Sequence, residues 1–211
     1  MGNIDELIAK LSQDIAAVKP ALHPFILSAK WMGGTVAYLV VALMFSGLRP
    51  DLMSKLHEPW FVAEIAALVC IFIATSLSAA LLSFPDIHQL RRVAFAPVIT
   101  FALFVAVMFL AWRADNPPAA LPVHSFECTA SISLFSLLPA VWTFFEMRKF
   151  ASTHYRLAGC IALLFAFSTG AIWLRLYEAN NSILHVIMWH SLPMIAFGTA
   201  GLWLGKKILK W

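Results

Sequence analysis

Six apolar runs, each about as long as a bilayer is thick, constrain this chain more than anything else in it. They cover Ile26 to Gly47, Trp60 to Leu82, Ala94 to Trp112, Cys128 to Phe145, Leu157 to Leu176, and Ile183 to Leu204, each bounded by charge, proline or polar residues. A helix rises ~1.5 Å per residue, so ~20 apolar residues cross a hydrocarbon core ~30 Å thick. None of the runs alternates with period two, which excludes the strands of a membrane barrel. Of the 211 residues, 61% are hydrophobic and only 12% charged, whereas a soluble domain keeps roughly a quarter of its residues charged. A soluble enzyme, a disordered chain and a nucleic-acid-binding domain are excluded on that ground. The fold class is all-α: a polytopic membrane protein of six transmembrane helices. The first run is too long and begins too late for a cleaved signal peptide and is expected to be a permanent span.

An even number of spans returns both ends of the chain to one side, and cationic residues identify that side. With the amino terminus in the cytoplasm, Lys10, Lys19, Lys30, Arg91, Arg92, Arg148, Lys149, Arg156, Lys206, Lys207 and Lys210 lie inside; these are 11 of the 15 lysines and arginines. Arg49, Lys55, Arg113 and Arg175 lie outside. Tryptophans follow the same frame. Trp60, Trp112 and Trp173 fall at the outer interface and Trp31, Trp142, Trp203 and Trp211 at the inner one, where amphipathic rings are favoured. The net charge of +4 therefore reads as membrane orientation and not as direct nucleic-acid binding.

Ahead of the first span, Ile4, Leu7, Ile8, Leu11, Ile15 and Val18 recur at helical spacing with polar residues between them. Asn3 and Glu6 have the spacing of a capping box, and Pro20 and Pro24 close the segment. Residues 1–24 are thus a separate cytoplasmic amphipathic helix and linker, and residues 25–211 the membrane domain. Helices that bind anionic lipid are rich in lysine and arginine, but this one carries Asp5, Glu6 and Asp14 beside only Lys10 and Lys19. Its apolar stripe fits the groove of a protein partner better than a lipid surface.

Chemistry-bearing residues are sparse. Cys70, Cys128 and Cys160 are too few and too scattered for a disulfide framework. If the fourth helix begins by His124, its i, i+4 spacing to Cys128 puts an imidazole and a thiol on one face. His57, Glu127, Glu178 and His185 are outer-side groups that could approach them. Such a set could take a soft metal or report oxidation; equally, it reads as an interfacial cysteine with histidines nearby. Glu64, Lys30, Arg175 and His190 are the only ionisable groups near or within the spans that bear on transport, and no span is broken at mid-depth, so a small transporter or channel is the alternative function. His185, His190 and His124 lack inner-half counterparts for haem ligation, and no cofactor is expected. Gly198, Gly201 and Gly205 mark close helix approach, within the bundle or in a homodimer.

The order of several short motifs resembles one family. Asp5-Glu-Leu-Ile-Ala-Lys-Leu11, a first span closed by Gly47-Leu-Arg-Pro-Asp51, Cys128, Pro139, Met147-Arg-Lys149, Arg156-Leu-Ala-Gly159, Gly170-Ala171, Val186 to Trp189 and a closing Gly205-Lys-Lys-Ile-Leu-Lys-Trp211 are similar to NrsF proteins. The resemblance implies a bacterial inner-membrane anti-sigma factor, not an enzyme. Its partner would be an extracytoplasmic-function sigma factor of the SigF type, held on the cytoplasmic surface and released by an outer signal. The family is thought to sense through two outer cysteines, the first of which matches Cys128 and the second of which is replaced here by Glu178. That implies sensing of metal or oxidant through Cys128 with His124, Glu178 and His185, pairing of Cys128 between two chains, or a different signal.

Overall fold

The computed structural model describes residues 2–13, 21–85, 91–114 and 125–210. Among these every regular element is helical. They run α1 (Gly2–Gln13), α2 (Pro24–Ser46), α3 (Leu52–Lys55), α4 (Pro59–Leu82), α5 (Arg91–Ala94), α6 (Ala96–Ala114), α7 (Phe126–Met147), α8 (Tyr155–Tyr177), α9 (Ile183–His185), a π-helical turn (Val186–Ser191) and α10 (Leu192–Ile208). Six segments are long and apolar enough to cross a bilayer: Pro24–Ser46, Pro59–Leu82, Arg92–Ala114, Phe126–Met147, Tyr155–Tyr177 and Ile183–Ile208. Proline placement sets several boundaries. Pro24 and Pro59 each open a helix in its first turn, where the missing N–H has no partner to lose; Pro24 thus starts the first span instead of ending the segment before it.

Helix α8 is the hub of the bundle, packing against α10, α4, α7 and α2. Its sequence allows this, because Ala158, Gly159, Ala162, Ala166, Gly170 and Ala171 are small and buried and let four neighbours come close. Between apolar helices in lipid there is no hydrophobic force to exploit, so close van der Waals fit and interhelical hydrogen bonds hold the bundle. The glycines on α8 and α10 meet directly. A Cβ on Gly201 would fall 2.6 Å from Cys160 Cα, and one on Gly205 would strike Tyr155 O and lie 3.0 Å from Gly159 Cα. Gly198 is looser, with Leu164 Cδ2 at 3.3 Å.

Polar side chains bridge the helices where their backbones are broken. Pro139 in α7 cannot donate to Phe135 O, and the Tyr38 hydroxyl of α2 donates to that carbonyl at 3.1 Å. Ser78 of α4 donates to Ala94 O at 2.6 Å, at the break between α5 and α6. Trp31, expected near the inner interface, is fully buried in the core with Leu27 and Ile71, so its ring faces neighbouring helices. It follows by three residues Ser28, which meets Ser76 of α4, and among the described residues the exposed tryptophans are Trp60, Trp112 and Trp203.

The contacts also sort the helix ends. The end of α2, the start of α4, the start of α7 and the end of α8 gather at one end of the bundle, called distal below. The start of α2 meets the end of α4 through Ser28 and Ser76 at 3.0 Å, and Ser152 donates to Leu82 O at 2.6 Å, at the opposite, proximal end.

Candidate functional site

The distal end is built on a scaffold of two buried arginines. Gly47 ends α2 with φ +83°, a left-handed conformation that glycine adopts without a Cβ penalty. The reversal turns Arg49 inward, where its N–H donates to Leu176 O at 2.9 Å. Its side chain is buried, donating to Asp51 from Nε at 2.7 Å and Nη2 at 2.8 Å, and to Asn181 Oδ1 at 2.6 Å. Arg175 of α8 forms a second, deeper fork on Glu64 of α4, at 2.7 Å from Nε and 2.8 Å from Nη2, and its Nη1 donates to Asn180 O at 3.0 Å. Both guanidiniums lie over the Phe61 ring, at 5.3 and 5.2 Å from its centroid. The Gly47-Leu-Arg-Pro-Asp51 motif thereby pins the residues that follow α8.

Glu178 leaves the end of α8 in extended conformation, its N–H still bonded to Leu174 O at 2.7 Å. Its carboxylate is the centre of a four-residue cluster. The Cys128 thiol, in the first turn of α7, donates to it with Sγ 3.5 Å from both oxygens. His185 Nε2 is 3.4 Å from Oε1 and His190 Nε2 is 3.1 Å from Oε2. One ligand atom from each of Cys128, Glu178, His185 and His190 lies within 4.8 Å of the others. The imidazoles are 1% and 3% exposed, and among the described residues none of their ring nitrogens makes an aligned hydrogen bond. Burial by itself would push the Glu178 carboxyl up, but the neighbouring His190, then His185 and the thiol, outweigh it and hold it below its ordinary value.

The two histidines share a face only because the helix between them is not α-helical. At ~3.6 residues per turn, residues five apart in an α-helix point ~140° away from each other. Val186–Ser191 is a π-turn in which the Leu192 N–H reaches back five residues to Ile187 O, and the ring centroids of His185 and His190 come to 5.0 Å, edge to face. The cause is legible in the residues. Pro193 has no N–H to give Trp189 O, and Thr129 Oγ1 of α7 donates to that carbonyl at 2.7 Å. One bond therefore satisfies the orphaned carbonyl and docks the turn beside Cys128.

Of the expected set, Cys128, Glu178 and His185 come together. His124, expected to face Cys128 if the fourth helix began there, lies outside the described residues, among which α7 begins at Phe126 after a non-helical Ser125. His57 is exposed on the α3 connection and turned to Met53 O at 2.8 Å. His190 is the member that spacing alone missed, and Pro193 three residues on was its signal. Glu64 is held by Arg175 and takes no part in the cluster. On α1, Ile4 and Ile8 are exposed, while Ile15 and Val18 lie outside the described residues. Gly201 and Gly205 are used inside the fold, against Gly159.

Comparison with known proteins converges on one family. The family model described as negative regulator of sigma F, NrsF, matches residues 11–211. The anti-sigma-F factor NrsF of Caulobacter vibrioides (strain NA1000 / CB15N) is 27% identical over 212 residues, spanning 98% of this chain and 99% of that protein. No solved structure matches.

Proposed function

This chain belongs to the NrsF family of negative regulators of sigma F, and from that premise we propose that it is a membrane-bound anti-sigma factor that sequesters an extracytoplasmic-function sigma factor. The family match over residues 11–211, the whole membrane domain included, is the observation that carries this reading. In it, the chain sits in a bacterial inner membrane with both termini in the cytoplasm, in keeping with the placement of 11 of 15 lysines and arginines on that side. Residues 1–24 form the docking arm and residues 25–211 the membrane domain. The sigma factor takes the apolar stripe of α1, on which Ile4 and Ile8 are exposed, together with Leu7, Leu11, Ile15 and Val18, and the proximal loops complete its seat. The distal end then faces the periplasm, and the Cys128, Glu178, His185 cluster, with His190, receives the envelope signal. Helix α8 connects the two ends, because Glu178 follows its last turn and Tyr155, beside the proximal loops, begins it.

The test is a pull-down of detergent-solubilised protein from its native membranes, with and without residues 1–22. Recovery of a sigma factor with the full chain alone supports both the class and the docking arm. Recovery with both forms removes the arm from the reading, and recovery with neither overturns the reading. Changing Leu7, Ile8 and Leu11 to aspartate is expected to derepress the target genes at normal protein levels.

A further inference from the structure

We propose that Cys128, Glu178, His185 and His190 form a binding site for one divalent ion of the zinc and cadmium type. Three different elements deliver the four groups: the first turn of α7, the residue after α8, and the two sides of the π-turn. A thiolate, a carboxylate and two neutral imidazoles are the ligand types such ions take, usually four at a time. Distances fit as well. Donors placed ~2.0–2.3 Å from a tetrahedral zinc are ~3.3–3.8 Å apart; the cluster has sulfur to carboxylate at 3.5 Å and imidazole to carboxylate at 3.1 and 3.4 Å, and its other donor pairs, all within 4.8 Å, need close by no more than ~1–1.5 Å.

Charge selects the same class. Thiolate and carboxylate together supply two negative charges, so a dication leaves a neutral site, which suits burial next to the apolar bundle better than a lone proton or a monovalent ion. The imidazoles supply the independent pointer. Buried polar atoms are almost always hydrogen-bonded, yet both buried rings face the carboxylate without an aligned bond. Among the described residues, the charge of Arg175 is taken by Glu64 at 2.7 Å and that of Arg49 by Asp51 at 2.7 Å. Thr129, by fixing Trp189 O, holds the π-turn that presents His190, the supporting role that outer residues play around metal ligands.

That this ion is the envelope signal rests on the anti-sigma reading; that it binds does not. The experiment uses the purified full-length chain in detergent, titrated with Zn2+ by competition against a chromophoric chelator, and with Co2+ read by visible absorption. One ion per chain is expected, with the strong visible bands of tetrahedral cobalt and a thiolate charge-transfer band. Cys128→Ser removes that band, and Cys128→Ser and His190→Gln each weaken zinc by more than ~10-fold. Cys70→Ser, His57→Gln and the chain lacking residues 1–22 bind as the parent does. No zinc bound by the folded parent, or zinc bound equally by the Cys128 and His190 variants, overturns the site. Zinc bound as expected by a chain that recovers no sigma factor sustains the site and overturns the anti-sigma reading instead.

Discussion

Asp51 shows how single charges hold the distal end together. The Arg49 guanidinium, by its hydrogen bonds and then by its charge, holds the Asp51 carboxyl down to about 2 from an ordinary 3.8. A carboxyl depressed by folding stabilises the native state above its unfolded value and loses that contribution as pH falls through the folded one. The thermal midpoint is therefore expected to drop between pH ~4 and ~2, and Asp51→Asn should flatten that limb of the profile. Arg175 is more demanding, since it and Glu64 are each 4% exposed. Arg175→Met strands a buried carboxylate and should cost about 3–5 kcal/mol. Pairing it with Glu64→Gln should restore most of the loss in a denaturation series, because the uncharged pair leaves nothing ionic without a partner. Glu178 stands 3.5 Å from the Cys128 sulfur, so Glu178→Cys places a second thiol against the first. Under mild oxidant that variant is expected to lose two free thiols, measured by thiol titration, while the parent loses none to an internal bridge.

At the scale of elements, glycines and prolines carry opposite duties. Gly201 and Gly205 sit where α10 touches the backbone of α8, and Gly205→Val should cost ~1–3 kcal/mol or more through forced separation of the two helices. Gly33 has open space around its Cβ position; Gly33→Ala should instead be neutral or add up to ~1 kcal/mol by helix propensity. Thermal unfolding of the two variants separates these outcomes. Pro139 and Pro193 break α-helical bonding, and in each case a hydroxyl from a neighbouring helix takes the freed carbonyl, Tyr38 at 3.1 Å and Thr129 at 2.7 Å. Pro193→Ala lets the sixth span return to α-helical winding, which rotates His190 out of register with His185. Its zinc affinity should fall by more than ~10-fold while its stability is kept, as equilibrium titration and thermal unfolding will read.

For the whole molecule, the two ends have different physical characters. The distal end is a lattice of buried charges around Arg49 and Arg175, and the proximal end is a set of hydroxyl and glycine contacts. Among the described side chains of α1, Ile4 and Ile8 are exposed and none belongs to the core, so removing residues 1–22 should leave the thermal midpoint of the membrane domain within about 2 °C while abolishing partner recovery. Six spans, their lengths to within a few residues and the all-helical class followed from the chain alone, because hydrophobic run length is a local property that a bilayer reads directly. Cys128, Glu178 and His185 were also legible, since each flanks a span at the same end. The hub role of α8, the burial of Trp31 and the entry of His190 into the cluster were not. Each depends on which helix face meets which neighbour, and His190 depends further on a π-turn that exists because Pro193 withholds one hydrogen bond and Thr129, 60 residues away in the chain, replaces it.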